Sequence, residues 1–459
     1  NLLINSSGTT YQGLFGSSVG SIIDLGLEDV SVTVNGSVAE AYVGALVGRN
    51  YGTVTNSYVT GTVTSQRYYV GGMIGYNDGG TVTGSYTTTD VTAPIFIGGM
   101  FGSTSGTVSD VYATGAISGS NHSIGGLTGH LTGAGSITTS YATGTVSGPG
   151  STGGLIGWLE DGDVSDSYAT GDITGINGGS GNGVGGLIGS ASNNANSVTE
   201  CYATGNVTAA SKYYAAGLIG SISGSGSAVL DSYATGDVNS GYYPAGFISS
   251  IGSGVTIDNS FSVGSITGLS STERGFGGLN SGTITTSYWD SDTATPATTT
   301  SGGTSQTTAE MIDQSTFVGW NFTTVWNINA LINSGYPYLR WQNVDVTDPT
   351  ISTYSPADDA TAVATTANLV ITFDEAVDRE TGNITLYKSD DTQIQVFDVT
   401  SDISGTGTTT ITIDPAADLD EQTAYYVQID ATAFDDAAGN SYAGITDKTT
   451  WNFTSADET

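Results

Sequence analysis

The sequence predicts an all-β protein: a glycine-punctuated β-solenoid, an aromatic-rich segment that caps it, and a β-sandwich. One short phrase, made of a glycine pair, two apolar residues and another glycine, recurs through the first two thirds of the 459 residues. A second phrase, Tyr-Ala-Thr-Gly or a close variant, follows it in most repeats. Beyond residue 343 the pattern changes to alternating apolar and polar positions between turn residues, which is typical of a sandwich.

The spacing of the glycine phrase indicates stacked structural units. Its central apolar residue lies at positions 14, 46, 73, 100, 127, 155, 187, 218, 247 and 279, so one repeat spans 27 to 32 residues. A unit of this length cannot bury its apolar side chains alone, whereas stacked copies form a continuous core. We therefore expect a solenoid of about ten coils over residues 1–290, with one layer added at each strand spacing of about 4.8 Å.

The orientation of the side chains can be predicted around the glycine pair. The residue three positions before the central one is nearly always apolar, as at Val43, Val70 and Ile97, and should face the core. Strict alternation would then turn the central residue outward. Because that position is so regularly apolar, we expect the glycine pair to form a corner or bulge that resets the alternation.

The residue four positions before the central one should face outward, and there the repeats differ. Aromatic residues at this position predict one ladder across coils two to four and another across coils eight and nine, and Tyr68, Tyr213 and Tyr242 widen them. The candidate binding residues are Tyr42, Tyr69, Phe96, Tyr213, Tyr214, Tyr242 and Tyr243. They predict a platform for sugar rings or for another protein. The alternative is that the stacked rings only stabilise a sheet face.

The second phrase supplies a family resemblance. It reads Ser57-Tyr-Val-Thr-Gly61, Ser140-Tyr-Ala-Thr-Gly144 and Ser232-Tyr-Ala-Thr-Gly236, always in register with the glycine phrase. Residues 10 to 290 thus resemble the GLUG repeat of large bacterial surface proteins and adhesins, which also occurs in the non-catalytic parts of some immunoglobulin-cleaving peptidases. The resemblance implies an extracellular or cell-surface location.

Composition excludes several partners. The net charge is −35, with 43 acidic and only 8 basic residues, so binding to nucleic acid or anionic lipid is electrostatically unfavourable. No apolar run reaches transmembrane length, and we expect no direct insertion of this chain into a membrane. No signal-peptide pattern is recognised, and the start at Asn1 without Met predicts a processed product or a piece of a longer protein.

Few residues suggest catalysis, and we predict that the protein is not an enzyme. Glu160, Asp161, Asp163 and Asp166 lie beside Trp158, and a carboxylate pair could serve glycoside cleavage, but a solvated turn is the simpler interpretation. His122 and His130 belong to no metal or peptidase motif. The single cysteine, Cys201, takes the place of a small residue before the tyrosine, so we expect a packed thiol that is not reactive.

Residues 291–343 should form a capping segment with a short helix. Thr307 and Glu310 have the spacing of a capping box. Trp320, Trp326 and Trp341 follow, and an open solenoid end needs such aromatic residues to cover its unpaired edges and apolar surface. GLUG-type proteins often end in a similar Trp-rich tail, so the resemblance agrees.

Residues 344–459 are predicted to form an acidic β-sandwich. Strands such as 368–373, 409–413 and 424–429 alternate in the expected way. The phrases Phe373-Asp-Glu-Ala-Val377 and Asp436-Ala-Ala-Gly-Asn440 resemble the bacterial Ig-like domain of S-layer and adhesin proteins.

This acidic domain predicts a cation site. Ca²⁺ takes several carboxylate and carbonyl oxygens, and the candidate ligands are Asp345, Asp348, Asp374, Glu375, Asp435, Asp436 and Asn440. The spacing matches no EF-hand loop, so a solvated negative surface is the alternative. No other cofactor is expected.

Together these features predict a non-catalytic extracellular or cell-surface protein, either an adhesin or a surface-fibre subunit. The partners expected are another copy of the chain, paired head to tail through strand edges, or host or environmental glycans. Two other classes stay open: a carbohydrate-binding module that uses the tyrosine ladders, and a β-helix enzyme acting on polysaccharides, which would need two carboxylates within about 10 Å in a groove.

Overall fold

A computed structural model describes most of the chain. The described residues are 3–6, 10–36, 41–176, 183–193, 195–209, 214–241, 243–268, 273–294, 302–330, 332–342, 345, 347–436 and 438–457. They form two compact units, Asn1–Trp341 and Gln342–Thr459, which are described separately.

The first unit is a solenoid of four parallel sheets, and two of them flank the glycine pair. Sheet 1 precedes the pair and has eight described strands: Tyr11–Gln12, Tyr42–Val43, Tyr68–Gly71, Ile95–Gly98, Ile124–Gly125, Thr152–Gly153, Gly183–Gly185 and Tyr214–Ala216. Sheet 2 follows the pair and has ten: Phe15–Ser18, Val47–Asn50, Ile74–Asn77, Phe101–Thr104, Thr128–Leu131, Ile156–Leu159, Ile188–Ala191, Ile219–Ile222, Ile248–Ile251 and Gly277–Asn280.

The other two sheets complete each coil. Sheet 3 also has ten described strands: Ser21–Ile23, Thr53–Thr55, Thr81–Thr83, Thr107–Ser109, Gly135–Thr138, Gly162–Ser165, Ser197–Thr199, Ala228–Leu230, Thr256–Asp258 and Thr283–Ile284. Sheet 4 carries the tyrosine phrase and most of its coils contribute two short strands.

The strands of sheet 4 are Leu3–Ser6, Gly26–Val34, Tyr58–Ser65, Tyr86–Thr87, Asp90–Ala93, Tyr112–Ala113, Ile117–Gly119, Tyr141–Ala142, Val146–Gly148, Tyr168–Ala169, Ile173–Gly175, Tyr202–Ala203, Val207–Ala209, Tyr233–Ala234, Val238–Ser240, Phe261–Ser262, Ile266–Thr267, Tyr288–Asp290 and Thr304–Gln306.

Successive glycine phrases lie directly above one another. Gly98 pairs with Gly71 on one side and with Gly125 on the other, and Gly153 pairs with Gly185. The predicted solenoid with in-register repeats is therefore confirmed.

The glycine phrase contributes two buried positions to the core of most coils, and apolar residues of sheets 3 and 4 such as Val54, Val59 and Val63 complete it. The central residue of the phrase is fully buried from coil two to coil nine: Leu46, Met73, Met100, Leu127, Leu155, Leu187, Leu218 and Phe247. The residue three positions earlier is also buried, as at Val43, Val70 and Ile97. The glycine pair thus resets the alternation as the sequence predicts.

The two terminal coils differ from each other at the central position. Leu14 in the first coil is 42% exposed there, whereas in the last coil Phe276 occupies the central position and is fully buried, with its ring centroid 4.6 Å from that of Phe247. The prediction that Leu279 is the central residue is wrong, because Leu279 pairs with Ser250 and is 41% exposed. The first coil has a neighbouring coil on one side only, so the apolar residue at its central position stays partly exposed, as expected for a repeat architecture.

The segment after the last coil caps sheet 4 and then runs along its side. Strand Thr304–Gln306 pairs with Tyr288–Asp290 and extends the sheet by one strand. The α-helix Thr308–Met311 follows, and its capping box between Thr307 and Glu310 is present as predicted. Beyond it come 3-10 helices Gln314–Thr316, Asn333–Gly335 and Arg340–Gln342, and the antiparallel strands Trp326–Asn327 and Tyr338–Leu339.

Within its described residues, the second unit is a sandwich of two five-stranded sheets around its own core. One sheet contains Ile351–Ser355, Leu369–Arg379, Thr408–Ile413, Ile403–Ser404 and Phe434–Asp436. The other contains Ala360–Val363, Asn452–Ser455, Ala424–Ile429, Asn383–Lys388 and Gln393–Asp398. Trp451 is fully buried between them and donates its indole N–H to the carbonyl oxygen of Pro356 at 2.8 Å. The predicted Ig-like sandwich is confirmed.

None of the helices in the described residues has the length and apolar character needed to span a bilayer.

Candidate functional site

The first predicted ladder forms a stack on the outer surface of sheet 1. Ring centroids lie 5.7 Å apart between Tyr11 and Tyr42, 5.1 Å between Tyr42 and Tyr69, and 4.6 Å between Tyr69 and Phe96. Tyr42, Tyr69 and Phe96 are half-buried. We call this stack of four residues, with the neighbouring side chains of sheet 2, the aromatic face.

Two residues of the aromatic face have a left-handed backbone conformation. Tyr69 has φ 56° and Phe96 has φ 54°, a region that bulky residues rarely occupy. Such a conformation costs on the order of 1–3 kcal/mol and persists only where the surrounding structure enforces it. The stacked rings and the buried valine and isoleucine that follow them hold this conformation in place.

Sheet 2 adds a cation to the aromatic face. The guanidinium carbon of Arg49 lies 5.4 Å from the ring centroid of Tyr42, 4.9 Å from that of Tyr51 and 5.5 Å from that of Tyr76. Asp78 accepts hydrogen bonds from Nε and from Nη2 of the same arginine. Cation–π contacts of this kind contribute about 0.5–2 kcal/mol. Tyr51 is 44% exposed and marks the accessible edge of the cluster.

The aromatic face continues toward later coils through His130. Its ring stacks on Trp158 at 4.6 Å and lies 5.3 Å from Phe96. His130 Nε2 contacts Glu160 Oε2 at 2.9 Å, and the hydroxyl of Thr132 donates to the same oxygen at 3.0 Å. Burial lowers the pKa of His130, although the nearby Glu160 carboxylate opposes this effect.

A serine lies near the other ring nitrogen of the buried histidine. Ser103 Oγ lies 3.5 Å from His130 Nδ1, which with Glu160 superficially resembles a triad. Ser103 is only 2% exposed, so this hydroxyl is buried in sheet 2. Glu160 thus serves as the hydrogen-bonding partner of a buried imidazole, and Asp163 lies exposed on sheet 3.

The second predicted ladder is described only in part. Tyr214 and Tyr243 are half-buried on successive coils, and Tyr243 also has a left-handed φ of 44°. Tyr213 and Tyr242 lie outside the described residues.

A longer stack, which sequence reasoning did not identify as a surface, lies on sheet 4. It consists of the tyrosines of the second phrase and one phenylalanine: Tyr58, Tyr86, Tyr112, Tyr141, Tyr168, Tyr202, Tyr233, Phe261 and Tyr288. From Tyr58 to Phe261 neighbouring ring centroids are 4.7–5.1 Å apart, with interplanar angles of 2–9°. We call these nine residues the tyrosine ladder. The regular recurrence of the second-phrase tyrosine in the sequence could have predicted this stack.

The capping segment covers one half of the tyrosine ladder. Phe317 contacts Tyr288, and Trp320 lies 5.9 Å from Tyr288. Trp326 lies 5.9 Å from Phe261 and 6.3 Å from Tyr233. Trp341 reaches Tyr202 at 5.8 Å and Tyr168 at 6.2 Å. We call each residue of the tyrosine ladder a rung. Residues 311–341 run back from the last coil along five rungs, and we call them the aromatic strap.

Each tryptophan of the strap also makes a polar contact. The indole N–H groups of Trp320, Trp326 and Trp341 donate to the Thr286 carbonyl at 2.8 Å, the Asp231 carboxylate at 3.0 Å and the Glu200 carbonyl at 2.9 Å. Burial raises the pKa of Asp231, and the Trp326 indole is one of the donors that oppose this rise. Each acceptor residue stands two positions before a ladder rung.

Cys201 lies within the solenoid core directly before the rung Tyr202. It is fully buried, and its Sγ donates to the carbonyl oxygen of Thr199 at 3.2 Å. Burial raises the pKa of this thiol to about 12, so it stays protonated at neutral pH. A protonated, buried thiol is a packing residue and is not a nucleophile.

Three of the seven candidate calcium ligands come together in the sandwich. One oxygen from each of Asp345, Glu375 and Asp436 lies within 4.8 Å of the others. Asn440 joins them, since its Nδ2 donates to Asp436 at 2.8 Å and to the carbonyl of Asp345 at 3.2 Å. Burial and the charges of Asp345 and Asp436 raise the pKa of Glu375.

The other candidates lie elsewhere. Asp374 and Asp435 are each next in sequence to a member of the cluster, and adjacent residues of a strand point to opposite faces. Asp374 instead accepts hydrogen bonds from the main-chain N–H of Thr350 at 2.8 Å and from its hydroxyl at 2.7 Å. Asp348 is exposed. Carboxylate oxygens of this kind would suit Ca²⁺, but the geometry alone does not select that ion.

Comparison with known families supports both parts of the architecture. A family model described as the GLUG motif matches residues 39–64, 120–147 and 148–174, and one described as a bacterial Ig-like domain matches residues 345–455. The chain carries GLUG repeats followed by a bacterial Ig-like domain. This combination indicates a bacterial surface or extracellular protein.

One curated relative of the GLUG-repeat chain is a protein of Evansella cellulosilytica, provisionally named a Gly-rich membrane protein. It is 37% identical over 90 residues, which are 18% of this chain and 10% of the relative. The chain therefore spans about a tenth of the relative that it matches.

A crystal structure of a Bacteroides ovatus protein, provisionally named an immunoglobulin A1 protease, is also similar in part. The match covers 61% of this GLUG-repeat chain and 86% of the other chain, at 19% identity and a TM-score of 0.36. No conclusion about activity follows from a likeness at that level.

Proposed function

We propose that this chain is a non-catalytic structural protein of the bacterial surface, an adhesin or a surface-fibre subunit, and that the aromatic face is its contact surface. The observation that carries the proposal is the stack from Tyr11 to Phe96, which continues over four successive coils. A solenoid provides length, and the stack places aromatic side chains, which are enriched at recognition surfaces, on its outside.

The strain in the backbone supports a role beyond packing. Tyr69 and Phe96 keep a left-handed conformation in which asparagine or glycine would cost less. Strained residues cluster at binding sites, where the surrounding structure maintains them. We therefore assign the contact to this face in preference to the exposed threonine rows of sheet 4.

The stacking favours a protein partner over a sugar. Tyr69 and Phe96 are nearly parallel, with an interplanar angle of 5°, so each ring covers a face of the other. Sugar rings pack on aromatic faces, whereas protein surfaces can also donate to hydroxyls and pack on edges. The exposed ring of Tyr51 beside Arg49 is the feature that favours a carbohydrate-binding module, which stays the second candidate.

The test displays the full chain on cells or beads and measures adhesion to a panel of extracellular-matrix proteins and purified glycans. The Tyr69→Asn/Phe96→Asn variant removes two rings, and asparagine tolerates the left-handed backbone. Thr174→Asn/Thr208→Asn on exposed sheet 4 is the matched control. We expect the first variant to lose at least tenfold in binding to protein partners and the control to bind normally.

Equal binding by wild type and the first variant would remove the aromatic face as the contact surface. Binding to glycans alone, lost on Tyr51→Ala, would favour the carbohydrate-binding module. Electron microscopy of the purified chain tests the fibre subunit separately: filaments support head-to-tail pairing, and single particles at high concentration argue against it.

A further inference from the structure

We propose that the uncovered rungs of the tyrosine ladder, Tyr86, Tyr112 and Tyr141, bind an extended tryptophan-bearing segment of a partner protein. The segment would dock as the aromatic strap docks on the neighbouring rungs. This surface lies on sheet 4, away from the aromatic face, so the inference stands independently of the proposed function.

The covered half of the ladder shows how such a segment is recognised. A tryptophan ring packs against one or two rungs, and its indole N–H reaches the residue two positions before a rung. The three acceptor residues, Thr286, Asp231 and Glu200, all have a left-handed backbone, with φ of 37°, 47° and 53°. This conformation recurs at each coil and presents the carbonyl or side chain of the corner residue beside the rings.

The uncovered half repeats the same geometry. Tyr86–Tyr112 and Tyr112–Tyr141 each have a centroid separation of 4.9 Å and an interplanar angle of 4°. The residues two positions before these rungs are Gly84, Asp110 and Thr139, with φ of 57°, 55° and 45°. Among the described residues, no donor contacts the main-chain oxygen of Asp110 or Thr139.

The uncovered rungs have apolar surface available for docking. Tyr86, Tyr112 and Tyr141 are half-buried, whereas Tyr202 and Tyr233 under the strap are only 9% and 2% exposed. The ladder is one continuous stack, and its covered rungs already form an interface with a polypeptide segment. The same rings and the same corner acceptors therefore continue beyond the end of the strap at Trp341.

The charges of the strap and of the solenoid corners indicate which kind of partner segment fits the uncovered rungs. Residues 314–341 contain no Asp or Glu and one Arg, whereas the solenoid corners that they touch include Asp231 and Glu200. The uncovered half likewise presents Asp110 and Asp90, both exposed. A segment that carries tryptophan, lacks acidic residues and is neutral or basic therefore complements this surface. A sugar fits less well, because sugar rings pack on aromatic faces and these rings cover one another's faces.

The experiment uses the full chain and a labelled synthetic peptide with the sequence of residues 314–342 as the probe. Fluorescence anisotropy measures its binding to wild type, to Tyr112→Thr/Tyr141→Thr, and to the control Thr174→Asn/Thr208→Asn, which changes two exposed residues of sheet 4. A peptide with all three tryptophans replaced by alanine is the probe control. We expect saturable binding that falls at least tenfold in the double variant and with the substituted peptide, and that is unchanged in the control.

Hydrogen exchange on the wild type keeps the inference testable if the double variant folds poorly. Bound peptide should increase amide protection in residues 110–143 without decreasing protection in the strap. Absence of saturable binding would overturn the inference, as would protection confined to the covered rungs, which would report displacement of the strap. Protection of residues 110–143 by a soluble oligosaccharide but not by the peptide would overturn it in favour of a glycan.

Discussion

Gly154 and Ala169 face each other across the solenoid core: a methyl carbon added to Gly154 would lie 2.7 Å from the Cβ of Ala169 and closer still to the carbonyl oxygen of Gly186. Gly154 is the second glycine of its phrase, and Ala169 is the alanine of the tyrosine phrase in the same coil. The same pair recurs as Gly126 with Ala142. The two phrases recur in register because the second glycine of one packs closely against the alanine of the other within each coil.

The close packing at Gly154 predicts that Gly154→Ala destabilises the solenoid. The added methyl group meets main chain that cannot move away, so we expect a loss of about 1–3 kcal/mol or more in the free energy of unfolding, as for other overpacked cores. Urea denaturation followed by circular dichroism measures it. Gly20→Ala is the matched control, since nothing lies within 4 Å of the position that its methyl group would take. Equal stability of the two variants would contradict the prediction that close packing at Gly154 excludes a methyl group.

The left-handed corner before each ladder tyrosine predicts a stabilising substitution. Thr139 has φ 45° there, whereas other coils have Asn56, Asp110 or Asn259. A β-branched residue is disfavoured in this region and asparagine is tolerated. We expect Thr139→Asn to raise the free energy of unfolding by about 0.5–1 kcal/mol. Loss of the hydrogen bond from the Thr139 hydroxyl to Asp110 reduces this gain. Thermal melts beside the control Thr143→Asn check the gain.

The two histidines predict that the solenoid loses stability in mild acid. Burial lowers the pKa of both His130 and His122 below the ordinary value of 6.5. The unfolded chain then binds protons more readily than the folded one, so the free energy of unfolding falls as the pH drops through about 6.5 and below.

Urea midpoints between pH 7.5 and about 6 measure this dependence, and they should be nearly constant in the double variant His122→Gln/His130→Gln. The chain has only these two histidines, so the variant is a clean control. A wild type that becomes more stable as the pH falls would mean that the ion pair with Glu160 outweighs burial.

The strap predicts a specific cost for losing one indole N–H. Trp326→Phe keeps an aromatic ring beside Tyr233 and Phe261 but removes the donor to Asp231. A partly buried carboxylate without its donor costs about 1–3 kcal/mol. We expect a lower melting temperature of the solenoid, and partial recovery in Trp326→Phe/Asp231→Asn. Val318→Ala, at an exposed strap position, should change little.

The acidic cluster of the sandwich predicts a calcium effect on the full chain. If Asp345, Glu375 and Asp436 bind Ca²⁺, millimolar CaCl₂ should raise the melting temperature of the second unit and EDTA should reverse it. Glu375→Gln should abolish the shift, and Asp348→Asn, at an exposed position outside the cluster, should retain it. Identical melting with Ca²⁺ and with EDTA would leave a solvated negative surface as the explanation.

The sequence alone determined the solenoid, its coil length and its central core residues from coil two to coil nine, but not that of the last coil, where Phe276 and not Leu279 stacks on Phe247. Contacts between stacked coils join residues one repeat apart, so a regular period of glycine and apolar residues is sufficient to predict them. It also predicted the capping box at Thr307 and the Ig-like sandwich. The sequence also showed that the glycine phrase and the tyrosine phrase recur in register, but it did not show that they contact each other.

The tertiary structure decided which side chains from different periods meet. Trp326 reaches Asp231 and Trp341 reaches Glu200 across 95 and 141 residues, and no repeat spacing encodes those distances. The grouping of Asp345 with Glu375 and Asp436, and the exclusion of Asp374, likewise depended on which face of a strand each carboxylate occupies. A period fixes the neighbours within a stack, but the path of a non-repeating segment is set by packing and hydrogen bonds that only the folded chain brings together.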